Sequence, residues 1–370
     1  MDILTAQCGL NRSEHIRRAR SILLLGVVLL VLAGTPTFAA EPLQRFEYLQ
    51  IRMGIPVRIT LYAPSQTEAN RASSAAYDRF RELDRTLSDY DPDSELMQLC
   101  AQPAGLPVPV GADLLYVLQK SQQLSQFTGG AFDVSVGPVV KLWRIARRRR
   151  ELPTNDKLAA ARSRIGYEHI EVDAKVGTVT LHQPGMQLDL GAIAKGYAAD
   201  EACKVMAELG MTRVLIDAGG DLVVGDPPPD HSFWSIAIEP LRLGQQTELP
   251  VFLELKNCSV ATSGDAYQHV EIGGQRYSHI VDPKTGLGLT RPSSVTVIAP
   301  NGTAADGLAS AISVLGPDDG LKLLDRYPGC SALVVELVDD RPVTHQSEGF
   351  ERYIRAADDS SSTVDASESH

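Results

Sequence analysis

Three short segments concentrate the side chains able to do chemistry. Tyr277-Ser-His-Ile-Val-Asp-Pro-Lys-Thr-Gly286 places an imidazole (His279), a carboxylate (Asp282), an ammonium (Lys284) and a hydroxyl (Thr285) in one stretch. Asp282-Pro283 and Thr285-Gly286 are turn formers, so this stretch is expected to fold back on itself. Asp189-Leu-Gly-Ala-Ile-Ala-Lys-Gly196 lies where an apolar run gives way to helical periodicity. The free N–H groups and positive dipole end of such a helix suit phosphate oxygens, and Lys195 adds a point charge about one turn in. Asp306-Gly-Leu-Ala-Ser310 falls on a helix expected from about Thr303 to Leu315 and closed by Gly316. Residues four apart share a helix face, so Asp306 and Ser310 present a carboxylate and a hydroxyl together. Oxygen ligands of that kind suit Mg²⁺ beside substrate phosphates.

Each segment alone also reads as ordinary structure. Asp189 can cap a helix with Lys195 solvated, and Asp306 and Ser310 can be a first-turn acid and a small packing residue. Together the three point to a polar, phosphorylated ligand. Two glycine-bearing turns join them: Thr128-Gly-Gly-Ala131-Phe132-Asp133, where backbone can approach a flat ligand closely, and Thr262-Ser-Gly-Asp265. Several chemistries are excluded. G-x-S-x-G is absent, as are both glycine spacings of the P-loop and the dinucleotide fingerprint, and no histidine pair has zinc spacing. Asp89-Tyr-Asp-Pro-Asp93 starts like a calcium loop but has Ser94 at the glycine place and Cys100 at the twelfth.

The elements that must position these groups mix strands and helices. Arg58 to Tyr62, Val179 to Leu190, Val214 to Ile216, Leu222 to Val224, Val251 to Leu255 and Val295 to Ala299 read as strands. Helices are expected from about Glu68 to Leu87, from Ala112 to Phe127, from a cap at Asn155 to a stop at Gly166, and from the Asp189 segment to Gly210. Helices do not follow every strand, which favours α+β over a doubly wound sheet. Arg147 to Arg150 is expected to be a solvated loop.

Residues 1–39 read as a signal peptide: basic Arg12, Arg17, Arg18 and Arg20, an apolar run from Ile22 to Ala33, and small residues through Ala39. An uncleaved leader holding the chain at the inner membrane is the alternative. The leader carries four of 35 basic and two of 46 acidic residues, so the remainder sits near −13. That argues against nucleic acid as a partner. Cys100, Cys203, Cys258 and Cys330 show no metal spacing and read as small apolar residues. Residues 356–370 are Asp/Ser-rich, expected as a disordered tail.

Ser88-Asp-Tyr90 with Ser94-Glu-Leu96, Thr128 to Pro138, Asp189 to Gly196, Thr262 to Asp265, His279 to Gly286 and Ala305-Asp306, in this order, resemble the ApbE family of FAD:protein FMN transferases. The resemblance runs from Met53-Gly54 onward. It implies a single α+β domain over 40–355, with mixed sheets, flanking helices and two closely packed halves. It implies an exported, periplasmic or cell-envelope enzyme that uses Mg²⁺ to split the FAD diphosphate. FMN would pass to a threonine or serine hydroxyl of an acceptor protein, and AMP would leave. The implied FAD contacts are Met53, Tyr90, Ala131, Phe132, Asp133, Asp189, Lys195 and Ile280. The implied metal ligands are the Ala192 carbonyl, Asp306 and the hydroxyl at position 310. His279 is the expected base and Asp282 its catalytic companion, fixing the turn. The family's usual threonine is Ser310 here, which loses the methyl that restricts χ1, so looser metal binding is expected. The resemblance also implies an acceptor with an extracytoplasmic flavinylation site, within a membrane redox complex. Rival readings are a Mg²⁺-dependent FAD pyrophosphatase and a non-catalytic flavin-binding protein; in the family an aromatic at the place of Tyr90 goes with transfer.

Overall fold

Strands of alternating apolar character build one antiparallel sheet. They are β1 (Gln44–Arg52), β2 (Ile55–Ala63), β3 (Val214–Ala218), β4 (Asp221–Val224), β5 (Cys258–Gly264), β6 (Ser293–Ala299), β7 (Ser331–Val338) and β8 (Arg341–Gln346), side by side in chain order. Every neighbouring pair is antiparallel. The computed structural model describes residues 42–238, 251–264, 269–339 and 341–355. The leader, the acidic tail and Asp265 lie outside the described residues.

The pleat assigns the two sheet faces to different cores. On β7, Ala332 and Val334 join the main core while Leu333 and Val335 join a second one. The main core is closed by helices. These are α1 (Gln66–Leu87), α2 (Glu95–Cys100), α3 (Ala112–Thr128), α4 (Gly137–Arg149), α5 (Asn155–Arg162), α6 (Ala194–Glu208), α7 (Gly302–Leu315) and α8 (Pro317–Leu323). Helices α1 to α6 all lie between β2 and β3, so most of the helical layer is one excursion from a meander. Ala69, Ala72, Ala76, Phe80, Leu83 and Leu87 bury one stripe of α1, and Ser65 caps it by accepting from Glu68 N. Helix α1 packs on α6, α6 on α7, and α7 on β5 and β6. A ribbon of Trp234–Ile238 and Val251–Leu255 covers the other face with Phe350. The architecture is α+β, as expected.

Three local expectations need correction. The strand expected from Val179 to Leu190 ends at Leu181. Pro184-Gly185 turns the chain, with Gly185 at φ 73°, and Met186, Leu188 and Leu190 are buried without forming a strand. Asn155 is not the cap of α5: Thr154 is, accepting from Lys157 N, and the helix ends at Arg162. Arg147 to Arg150 is no loop. Arg147, Arg148 and Arg149 form the last turn of α4, where cations oppose the negative dipole end, and Arg150 closes it at φ 55°. The four described cysteines are free and partly buried, and burial pushes the thiols of Cys203, Cys258 and Cys330 up to about 11.

Candidate active site

Helices α6 and α7 cross at two glycines. A Cβ on Gly196 would lie 2.1 Å from the Gly302 carbonyl oxygen, and one on Gly302 would lie 2.5 Å from that of Gly196. Only glycine allows this approach. It lets each helix cap the other. Gly196 is the third residue of α6, so its N–H has no acceptor inside the helix; it donates to Asp306 Oδ2 of α7 at 3.1 Å. Asp200 of α6 returns the favour, accepting from Gly302 N at 2.6 Å, Thr303 N at 2.8 Å and Thr303 Oγ1 at 2.7 Å.

The crossing gathers charge. Lys195 Nζ donates to Asp221 Oδ2 and lies 3.6 Å from Asp306 Oδ1. Asp221 and Asp306 are only 5% and 4% exposed. Burial works against the Lys195 ammonium, but Asp306 and Asp221 outweigh it and raise its pKa. Burial and then the Asp306 charge push Asp221 up to about 7 against the pull of Lys195. Two ionised carboxylates facing one ammonium leave a net negative charge that would favour another cation. Sequence reasoning missed Asp221. Its signal was the second aspartate of Asp217-Ala-Gly-Gly-Asp221, which read only as a turn.

The remaining expected metal ligands fit a hard divalent ion. Ala192 precedes Ile193, the N-cap of α6, so the helix makes no claim on its carbonyl. Among the described residues no backbone N–H donates to it. Ser121, Ser125 and Ser313 turn their hydroxyls back onto carbonyls four residues earlier. Ser310 does not, and its partly buried hydroxyl stays available on the Asp306 face of α7. With Asp306, these are the oxygen donors Mg²⁺ prefers.

Asp189, on the buried lead-in to α6, anchors a second cluster. Its Oδ1 accepts from Gly191 N at 2.8 Å and its Oδ2 from Arg144 at 3.1 Å. Arg144, on α4, also reaches Asp89 at 2.6 Å and lies 4.0 Å over the Tyr90 ring. Burial, then the Asp89 charge, push the Asp189 carboxyl up. Tyr90 itself is 77% exposed. Its loop is stitched by Ser88 Oγ, which accepts from Tyr90 N and Asp91 N, and by Ser94 Oγ donating to Ser88 O at 2.6 Å. Arg144 carries no spacing signal in the sequence; it merely precedes an arginine run.

The His279 turn is held differently. Both Asp282 oxygens serve it, Oδ1 accepting from Lys284 N at 2.8 Å and Oδ2 from Thr285 Oγ1 at 3.0 Å. Gly286 N closes the turn onto Asp282 O at 2.8 Å. Leu289 N donates to Ile280 O and Ile280 N to Ser278 Oγ. His279 is partly buried between these bonds. Trp143 of α4 donates to Gly286 O at 2.8 Å and its ring sits 5.1 Å from that of Tyr277. Adjacent residues of one helix therefore hold two walls, Trp143 the His279 turn and Arg144 the Tyr90–Asp189 cluster.

Two residues expected as FAD contacts have other bonds or packing of their own. The Asp133 carboxylate is buried, accepting from Ser135 N and Oγ and from Tyr167 N, so any ligand contact from Ala131-Phe132-Asp133 falls to its backbone. Met53 occupies the β1–β2 hairpin turn at φ 49°, packed against the main core.

The sequence model of the ApbE family matches residues 53–334, which include every site residue above. This chain belongs to the ApbE family. The ApbE chain is 33% identical over 328 residues to the FAD:protein FMN transferase of Treponema pallidum, covering 84% of this chain and 90% of that protein. It is 31% identical over 278 residues to the one from Haemophilus influenzae. Among solved structures it is similar to the flavin transferase ApbE from Vibrio cholerae, with a TM-score of 0.75, 29% identity and coverage of 84% of this chain and 100% of that one.

Proposed function

We propose that this ApbE chain is an FAD:protein FMN transferase that uses Mg²⁺ to move FMN from FAD onto a threonine or serine hydroxyl, releasing AMP. The curated relatives bear that name, and family membership supports the same enzyme here. The observation that carries the reading is the buried Lys195–Asp221–Asp306 cluster at the start of α6. It joins a helix N-terminus, an ammonium and oxygen donors, the set a diphosphate with its cation requires.

In this reading the diphosphate lies across the first turn of α6. Asp306, the Ser310 hydroxyl and the Ala192 carbonyl would hold Mg²⁺, which would supply charge neutralisation for the phosphates and the departing AMP. Lys195 stays charged between its carboxylates and keeps their geometry. Tyr90 offers an exposed ring for a planar group to stack on. His279 accepts the proton of the acceptor hydroxyl, a contribution of about 10²–10⁴-fold for a positioned base. The hydroxyl oxygen bonds to the FMN-side phosphorus as the bond from that phosphorus to the bridging oxygen breaks. AMP leaves with the electron pair. Asp282 acts through the turn, as a positioning residue for His279. The acceptor would be a protein with an extracytoplasmic site, part of a membrane redox complex, met by an exported enzyme.

The test mixes the purified protein with FAD, Mg²⁺ and a candidate acceptor domain, then follows AMP and flavin fluorescence of the denatured acceptor. AMP with a fluorescent acceptor is expected. AMP at an equal rate without acceptor would mean a hydrolase, and FAD binding without AMP a flavin carrier.

A further inference from the structure

Two nearly buried carboxylates, Asp89 and Asp189, with side chains 10% and 11% exposed, share one guanidinium. Arg144 places a separate nitrogen on each, with its Cζ 4.0 Å from the Tyr90 ring centroid. Such a planar fork can divide between two acceptors and still stack on an aromatic face. Tyr90 projects from a loop and is 77% exposed, so an unsupported ring would sample several rotamers. Arg144 backs one face and leaves the other open. Its chain position adds weight, because Trp143, the neighbouring residue, is bonded to Gly286 O.

We propose that Arg144 is a positioning residue for FAD, holding the Tyr90 ring as a preformed stacking platform and tying it to Asp189 at the entry to α6. The inference rests on the reading of Tyr90 and Asp189 as FAD contacts. A preordered platform lowers the entropy cost of binding a planar ring. Among the described residues Arg144 pairs with Asp89 and Asp189 rather than with the metal donors, so its effect belongs in FAD affinity rather than in the chemical step. Lysine cannot replace it: a point charge cannot serve two carboxylates and stack as a plane.

The test is a double-mutant cycle read by calorimetric titration of FAD into the full protein, with kcat and KM measured alongside. Arg144→Ala strands two carboxylates, so Arg144→Lys, which keeps the charge, is the second variant, and thermal unfolding confirms that each is folded. Arg144→Lys is expected to weaken FAD binding about tenfold, raising KM by a similar factor with kcat little changed. In a Tyr90→Ala background the same substitution should cost less than about twofold, because the ring it supports is gone. Equal losses in both backgrounds, or a fall in kcat with unchanged FAD affinity, would overturn the inference while leaving the transferase reading in place. A wild-type protein that binds no FAD would overturn both.

Discussion

At the α6–α7 crossing each helix is capped by a carboxylate of the other, and backbone contact leaves no space for a methyl group. At the Tyr277–Gly286 turn Asp282 bonds Lys284 N and Thr285 Oγ1 within the turn itself, and the indole of Trp143 ties it to α4. The first region is rigid because tertiary packing dictates it. The second is ordered by its own sequence and then docked. A charged site that would hold a cation and a diphosphate, as proposed, gains from the first design. In the proposed reaction the turn would meet a protein acceptor, and the second design suffices for that.

The comparison breaks most visibly at Gly196. Gly196→Ala forces a Cβ into the Gly302 carbonyl, and overpacking of this kind costs about 3 kcal/mol. Thermal unfolding should show a fall of about 5 °C. A variant as stable as wild type would mean the crossing can open. Asp306→Asn separates chemistry from stability at the same place. It keeps the shape and removes a negative charge beside Asp221, so activity should drop about 10²–10³-fold while the melting temperature holds.

Smaller effects are expected at the turn. Asp282→Ala removes both latches and should lower kcat about tenfold, with FAD affinity unchanged; a loss as large as that of His279→Ala would give Asp282 a direct part in the chemistry. Trp143→Phe deletes one buried hydrogen bond and should cost about 1 kcal/mol in denaturant unfolding, with a few-fold loss of rate. Asp113, which accepts from Tyr197 on α6, gives a prediction in pH. Burial raises its pKa, but hydrogen bonds from Arg79 and Tyr197 outweigh that and hold it below the ordinary range. A lowered folded-state pKa gives stability that is present above about pH 4 and lost as pH falls through the folded value. An Arg79→Met variant should therefore lose less stability on acidification than wild type.

Much of this was legible in the sequence where the cause is local. The apolar stripe of α1, the Gly129 and Gly316 helix ends, and the Asp306–Ser310 face follow from spacing alone. The fold-back of Tyr277 to Gly286 follows from Asp, Pro, Thr and Gly side chains bonding their own backbone. What distant partners decide was hidden. Nothing in the spacing says that Lys195 meets Asp221 and Asp306, or that Gly196 must admit Gly302. Helix α4 was masked by its arginines, because Arg144 turns inward to Asp89 and Asp189 while Val139, Trp143 and Ala146 are buried in a small core of their own. Met186 to Leu190 resembled a strand because burial selects apolar residues whether or not a ladder forms.

The central claim is that Asp306 serves the cation and His279 the proton. It is tested most directly by the Mg²⁺ concentration for half-maximal AMP release, measured in wild type, Asp306→Asn and His279→Ala with acceptor present. The account predicts that Asp306→Asn needs at least about tenfold more Mg²⁺, whereas His279→Ala lowers the maximal rate at an unchanged Mg²⁺ requirement. An unchanged requirement in Asp306→Asn, or equal shifts in both variants, would contradict it.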